Sequence, residues 1–340
     1  MPEISVAELT DYARGILVGL GTPERIAAIV ADSLVLANRS GHDSHGVVRL
    51  REYSTFVDQG RVIPDAEPTV VSDFGAVTVI DGQHGWGQYV SLVAVEHARE
   101  AARRFGVGVV TVRNANHVGR IGEYAEVLAG AGLASMIWCN ADPCVAPFGG
   151  TERLLGTNPF AAGVPVAGGD DVVLDFATAA VAEGKLRVAR AAGESIPSGA
   201  VIDAKGRPTT DPNDFYDGGA LLPFGGHKGY GLSVVVELLG GALSGNHPSI
   251  ASRYVSGNGL VITAYDPAAF GERADFDSDV SETAARLRAA TPVDEERPVL
   301  LPGDAEGAAR RARGALVPIG DTIWADVRAL HDERATARQS

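Results

Sequence analysis

The chain has 340 residues, 45 % hydrophobic and 21 % charged, a balance that excludes wholesale disorder and fits about two domains in one globular body. Lys and Arg number 29 against 43 Asp and Glu, a formal charge of −14 that leaves no basic surplus for nucleic acid or an anionic membrane surface. An anionic small substrate therefore needs local Arg, Lys, His or amide groups acting against the overall field.

The N-terminus is acidic and amphipathic, without the basic stretch and apolar block of a signal peptide. No apolar run approaches the roughly 20 residues needed to cross a bilayer. Cys139 and Cys144, the only cysteines, are too few for a secreted disulfide framework and lack zinc-site spacing, so a cytoplasmic protein is expected. Helical spacing of Leu9, Ala13, Ile16 and Leu17 predicts a first helix over Ser5–Leu20, with Ser5 as N-cap and Glu8 three residues on. A second helix is predicted from Thr22 as N-cap and Pro23 as its first residue, through Leu36. The polar stretch SGHDSHGVVRLREY, Ser40–Tyr53, leads into another helix.

From Thr69 the texture becomes α/β. Strands are predicted over 69–71, 76–81, 107–114, 133–140 and 170–177, with helices over Val90–Arg104 and Ala179–Ala191. Lys228–Leu243 predicts a long apolar helix whose glycines permit close packing. Asp266–Pro292 is acidic and weakly patterned, a surface excursion. Helices return over Glu306–Gly314 and Thr322–Asp332, and the two helical ends are expected to pack together.

The usual chemical signatures are absent: no G-x-G-x-x-G follows a predicted strand, and there is no phosphate loop, H-E-x-x-H, G-x-S-x-G or EF-hand. Five polar constellations remain. His42, Asp43, Ser44, His45, Arg49 and Tyr53 combine a proton-exchanging pair with a guanidinium that fits a carboxylate. Asn114–Tyr124 sets His117 just past a strand end, where α/β proteins present groups to ligands. Pro147–Pro159 ends in Thr157 and Asn158, and Asp175–Thr178 is followed by Lys185. Pro223–Gly231 offers backbone N–H groups and Lys228 at a helix start, which suits a pyrophosphate. Each has a plainer reading: a surface Ser-His hydrogen bond, a strand-end cap, a tightly packed helix. His42 and His45, three apart, could instead hold a metal, but no second cluster at ligand spacing supports one.

In combination, SHGVVRLREY, DGQHGWGQ, NANHVGRIGEY, APFGGTERLLGTNPFAAGVP, LDFATAAVAEGKL, ALLPFGGHKGYGL and LPGDAEGAARRARG resemble the type-2 malate/L-lactate dehydrogenase family over nearly the whole chain. That family also contains ureidoglycolate, sulfolactate and diketogulonate enzymes and the reductases of piperideine- and pyrroline-2-carboxylate. The resemblance implies a non-Rossmann NAD(P)-binding α/β fold, with a helical domain formed by both chain ends (1–118 with 295–340) and a cofactor domain over 119–294. It implies NAD or NADP as cofactor, a small carboxylate substrate and a homodimer.

Residue by residue, the resemblance implies that Ser44, His45, His117 and Lys185 are catalytic and that Arg49, Tyr53, Thr157 and Asn158 meet the substrate. Cofactor contacts fall to Gly119, Ile121, Asn140, Asp175, Phe176, Ala177, His227, Lys228, Gly229, Gly303 and Arg310. No metal is implied. Lys185 stands where the imine reductases carry an Asp, which favours 2-hydroxy/2-oxo acid chemistry over cyclic imines. Its charge is expected to hold the proton-transferring histidine neutral. A hydride would pass between nicotinamide and C2 of the acid. The alternatives are a cyclic imino-acid reductase and a metal-dependent hydrolase or lyase at His42 and His45.

Overall fold

The structure, a computed structural model, describes residues 1–337. β1 (Glu3–Ser5) leads into α1 (Val6–Gly19) and α2 (Glu24–Arg39), and two 3-10 turns over residues 43–49 deliver the chain to α3 (Leu50–Asp58). β2 (Thr69–Asp73) and β3 (Val77–Asp81) precede α4 (Gly87–Phe105), β4 (Val107–Ala115), α5 (Gly122–Gly130) and β5 (Ala134–Cys139). β6 (Phe160–Val164), β7 (Val172–Phe176) and α6 (Glu183–Ala192) follow. A small three-stranded lobe holds β8 (Val201–Ile202), β9 (Pro208–Thr209), α7 (Pro212–Tyr216) and β10 (Ala220–Leu221). α8 (His227–Val236) continues into a π-helical turn over Glu237–Leu243, before β11 (Asn258–Tyr265) and α9 (Arg273–Arg288). α10 (Asp304–Arg313), β12 (Leu316–Pro318) and α11 (Asp321–Ala337) complete the described chain.

Two large cores organise these elements. The first joins the chain ends: Leu9, Ile16 and Leu17 of α1 and Ile26, Val30 and Leu34 of α2 are buried with Val327 and Leu330 of α11. β1 pairs antiparallel with β12, and α1 lies so close to α11 that a Cβ at Gly19 would meet Arg334 Cβ at 2.7 Å. The expected packing of the two helical ends is therefore seen. The second core covers a seven-stranded sheet ordered β2-β3-β4-β11-β5-β6-β7. Only β3–β4 pair in parallel; the other five neighbouring pairs are antiparallel. This is not the doubly wound parallel sheet of the classical dinucleotide fold. The sheet takes strands from both sides of residue 118.

The departures from the predicted elements have local causes. Ser5 caps α1 as expected, accepting the Glu8 N–H at 3.1 Å, but Pro23 takes the boundary of α2, and Thr22 Oγ1 instead accepts the buried Trp86 Nε1–H at 3.0 Å. α6 starts at Glu183 because residues 179–180 are drawn into pairing with Leu222 and Pro223 (Ala180 N–H to Leu222 O, 2.8 Å). The apolar helix after Lys228 widens to π geometry at Glu237, where Gly240 passes so close to β5 that a Cβ would lie 2.6 Å from Asn140 N. The acidic excursion contains α9, which is largely exposed and buries Ala284. β6, α5 and the central strand β11 have no counterpart among the predicted elements.

One close approach sets the position of the site. α4 begins at Gly87 against the chain just beyond β4, and a Cβ there would fall 2.3 Å from both Asn116 O and His117 O. Backbone atoms cannot step aside as a flexible side-chain end can. Gly87→Ala should destabilise the protein by about 1–3 kcal/mol in denaturant unfolding and displace His117. Gly130→Ala, with nothing within 4 Å of the added methyl, should be near neutral.

Candidate active site

The polar segment between α2 and α3 folds around Asn38. Its Oδ1 accepts the Val47 N–H at 2.9 Å and its Nδ2 donates to Asp43 Oδ1 at 2.8 Å, while Gly46 leaves the space that the amide occupies. The 3-10 turns so held point Ser44 and His45 into a cleft of about 810 Å³, within the size range of cofactor sites. Arg49 enters the same cleft as the chain turns into α3. Its Nε donates to Ser44 O (2.7 Å) and its Nη1 to Glu52 Oε2 (2.6 Å), which leaves the outer edge of the guanidinium for an anion.

His117 reaches the cleft from the opposite wall, beyond β4. Its ring lies nearly parallel to that of His45, with centroids 5.7 Å apart and planes 16° apart. Tyr53 is fully buried behind it, 2.7 Å from His117 Nδ1, and itself accepts the Gln88 Nε2–H at 2.7 Å. With Gln88 Nε2 donating, the Tyr53 hydroxyl is free to give its hydrogen to Nδ1, the arrangement in which a neutral His117 carries its hydrogen on Nε2. His45 Nδ1 lies 3.1 Å from Ser44 Oγ. Tyr53 thus orients a histidine and does not line the cleft.

Both imidazoles are held neutral. Burial, then the charges of Arg49, His42 and Arg120, push His45 down to about 3; burial, then Arg49 and His45, push His117 well below its ordinary value. Lys185 is exposed in the cleft lining but is not among these charges, so the expectation that it neutralises the histidine is replaced by burial and Arg49.

Gly119, Ile121, Thr157, Asp175, Phe176 and Ala177 line the same cleft. Asp175 Oδ2 accepts the Gly122 N–H at 2.8 Å, and its other oxygen has no donor among the described residues. Burial raises its carboxyl against the opposing charge of Arg120. An under-donated carboxylate in a cleft wall fits the ribose hydroxyls of a dinucleotide. Gly119, at φ 72°, carries the backbone round this wall. A nicotinamide dinucleotide therefore suits the residues present.

Other expected contacts lie elsewhere. Asn158 and Asn140 are fully buried outside the cleft lining, where both amides donate to the buried Glu237 carboxylate, Asn158 at 2.7 Å and Asn140 at 3.3 Å. They tie the strand ends to the π-helical turn. His227, Lys228 and Gly229 open α8 and do not line the cleft; the preceding loop packs behind its wall, where the Phe224 ring meets that of Phe176 edge-on at 5.4 Å. Gly303 caps α10, and Arg310 donates to Ser40 Oγ (3.0 Å) and Glu126 (2.9 Å), behind the His42–Asp43 turn. His42 is paired with Glu306 at 3.1 Å, and among the described residues no group of three metal-ligating side chains assembles. Sequence reasoning missed Asn38, Gln88 and Arg120. Gln88 and Arg120 lie in quoted motifs, but only the fold shows what they touch.

The sequence profile of the family described as malate/L-lactate dehydrogenase matches residues 4–328. The chain is 43 % identical to a malate dehydrogenase of Pyrococcus abyssi over 70 % of this chain and 67 % of that one. It is 38 % identical to an L-lactate dehydrogenase of Cupriavidus necator, covering 96 % and 97 % of the two chains. Among solved structures, sulfolactate dehydrogenase from Methanocaldococcus jannaschii superposes with a TM-score of 0.91 at 32 % identity, covering 98 % of each chain. The Δ1-piperideine-2-carboxylate reductase from Pseudomonas syringae pvar. tomato gives 0.85, also at 32 %, covering 97 % of this chain and 100 % of that one.

The neutral histidines make acid stability a test of this geometry. Below pH 6.5 the unfolded chain protonates His45, whereas the folded protein refuses that proton down to about pH 3, so stability falls as pH drops through this window. His45→Gln should flatten the decline in unfolding midpoint between pH 7.5 and pH 5. An unchanged slope would show that His45 titrates normally in the folded protein.

Proposed function

The chain belongs to the malate/L-lactate dehydrogenase family and is an oxidoreductase acting on the CH–OH group of 2-hydroxy acids; from that premise we propose how its residues divide the work. The carrying observation is the pair of neutral, facing histidines beside an arginine with a free edge. Arg49 takes the substrate carboxylate with two parallel hydrogen bonds and so fixes C2 between the imidazoles. His117, with its hydrogen on Nε2, donates to the C2 oxygen and stabilises the charge that grows there. His45 takes the hydroxyl proton on Nε2 during oxidation and returns it during reduction, while Nδ1 stays with Ser44 Oγ. The bound substrate carboxylate offsets the Arg49 charge that depresses His45, so the imidazole accepts a proton more readily with substrate present. Thr157 and Lys185 border the same space.

NAD or NADP would be held by Asp175, Phe176, Ala177 and the Gly119–Ile121 backbone, with the start of α8 nearby. The nicotinamide supplies the acceptor or donor of the C2 hydride. In this reading the helical chain ends form the substrate side and the sheet the cofactor side. Exposed apolar side chains at Val235, Leu238 and Leu243 support a homodimer, and two free cysteines suit the cytoplasm. The likeness to a piperideine-2-carboxylate reductase keeps a cyclic imine as the second reading, although the family resemblance sets Lys185 where that chemistry carries an Asp.

Energy transfer from Trp86, Trp138 and Trp324 to titrated NADH and NADPH tests the cofactor, and turnover of 2-oxo acids against piperideine-2-carboxylate tests the substrate. His45→Ala should lower kcat about 10²–10⁴-fold with NAD(P)H affinity unchanged. Arg49→Ala should act mainly on KM. Equal loss of cofactor affinity in both variants would refute these roles.

A further inference from the structure

Three arginines line the cleft, and two are matched by carboxylates: Arg49 with Glu52 at 2.6 Å and Arg120 with Glu126 at 2.8 Å. Arg61 is the third, and no carboxylate among the described residues lies within 4.0 Å of it. In a chain with a net charge of −14, an arginine left without an acid in a cleft is a conspicuous deficit of negative charge.

Arg61 is also held in place. Its backbone N–H donates to Phe56 O at 2.8 Å and its carbonyl accepts Asn116 Nδ2–H at 3.2 Å, so it is clamped between α3 and the residue before His117. Its guanidinium carbon sits 4.1 Å over the Phe56 ring, which fixes the planar fork and leaves its edges open. Arg49, Glu52 and Phe56 follow at helical spacing along one face of α3. The two guanidinium anchors, Arg49 and Phe56, stand about 10 Å apart along the axis. A four-carbon diacid can span between guanidinium groups presented from such points, with C–C bonds of about 1.5 Å and a hydrogen bond of about 2.9 Å at each end.

We propose that Arg61 binds a second anionic group on the substrate, so that the preferred 2-hydroxy acid is a dianion bearing a carboxylate or sulfonate beyond C2, not a monoanion such as lactate. This rests on the reading that Arg49 binds the C1 carboxylate. Arg61 is well suited to the distal group, because a preorganised fork loses little freedom on binding and a monoanion would leave it unmatched. Lys185, exposed in the same lining, is the competing cation, and it lacks such a platform.

The test compares kcat/KM for oxaloacetate, 3-sulfopyruvate and pyruvate, using whichever of NADH and NADPH binds. The wild type should favour one or both dianions, and which one distinguishes carboxylate from sulfonate. Arg61→Met should lower dianion kcat/KM about 100-fold while leaving pyruvate turnover and NAD(P)H affinity unchanged. Arg61→Lys should retain part of the preference. The proposal is overturned if the wild type turns over pyruvate as well as the dianions. It is equally overturned if the preference survives Arg61→Met, or is lost in Lys185→Met and not in Arg61→Met. Failure to reduce any 2-oxo acid, with cofactor bound, would overturn the dehydrogenase roles themselves and this assignment with them.

Discussion

The positive charge of Arg49 governs the chemistry of this cleft. Its guanidinium is fixed by the Ser44 carbonyl and the Glu52 carboxylate, and it faces two imidazoles that burial already biases against protonation. A cation in that position has two consequences from one cause. It offers a local positive site in a protein of net charge −14, and it adds to the burial that keeps both histidines neutral. The geometry around it therefore has to be rigid. Asn38, Gly46 and the Ser44–Arg49 contact supply that rigidity at short range, and the packing of α2 against α1 and α4 supplies it at long range.

The second wall of the cleft depends on a different constraint. His117 is placed by β4, and β4 is fixed in the sheet by β3 on one side and β11 on the other. β11 comes from more than 140 residues further along the chain, and Asn258 at its start, itself in the cleft lining, accepts the Val118 N–H at 3.1 Å and donates to Asn140 O at 2.7 Å. The segment bearing His117 is consequently held by a strand, by the glycine at the start of α4 and by the Tyr53–Gln88 hydrogen bonds at once. Such over-determination suits a group whose tautomer matters, because a ring rotation would exchange donor for acceptor.

Much of the local structure was legible in the residues. Alternating β-branched runs marked β3 and β4, and Ser5 with Glu8 marked the start of α1. Ser44, His45, Arg49, His117, Thr157 and Asp175 were singled out by residue type and neighbourhood, and they share one cleft. β11 was not read as a strand although NGLVITAY carries the right residues, because a buried central strand lacks the alternation that separates it from other apolar runs. The family resemblance implies ligand contacts at Asn140 and Asn158, but a polar residue looks the same in sequence whether it faces a ligand or a buried carboxylate. Their partner, Glu237, lies 79 residues beyond Asn158.

Residue types, and the start of α1 and the run of strands such as β3 and β4, could be read from the chain alone, because local propensity, capping and periodicity act over a few neighbours. The chain also carried enough motif order to identify the family resemblance. Which of those residues meet, why the two imidazoles stay neutral and which cleft arginine lacks a carboxylate emerge only in the folded molecule. Those properties depend on distances between segments far apart in the chain and on the exclusion of water from the space between them, and neither quantity exists until the chain has folded.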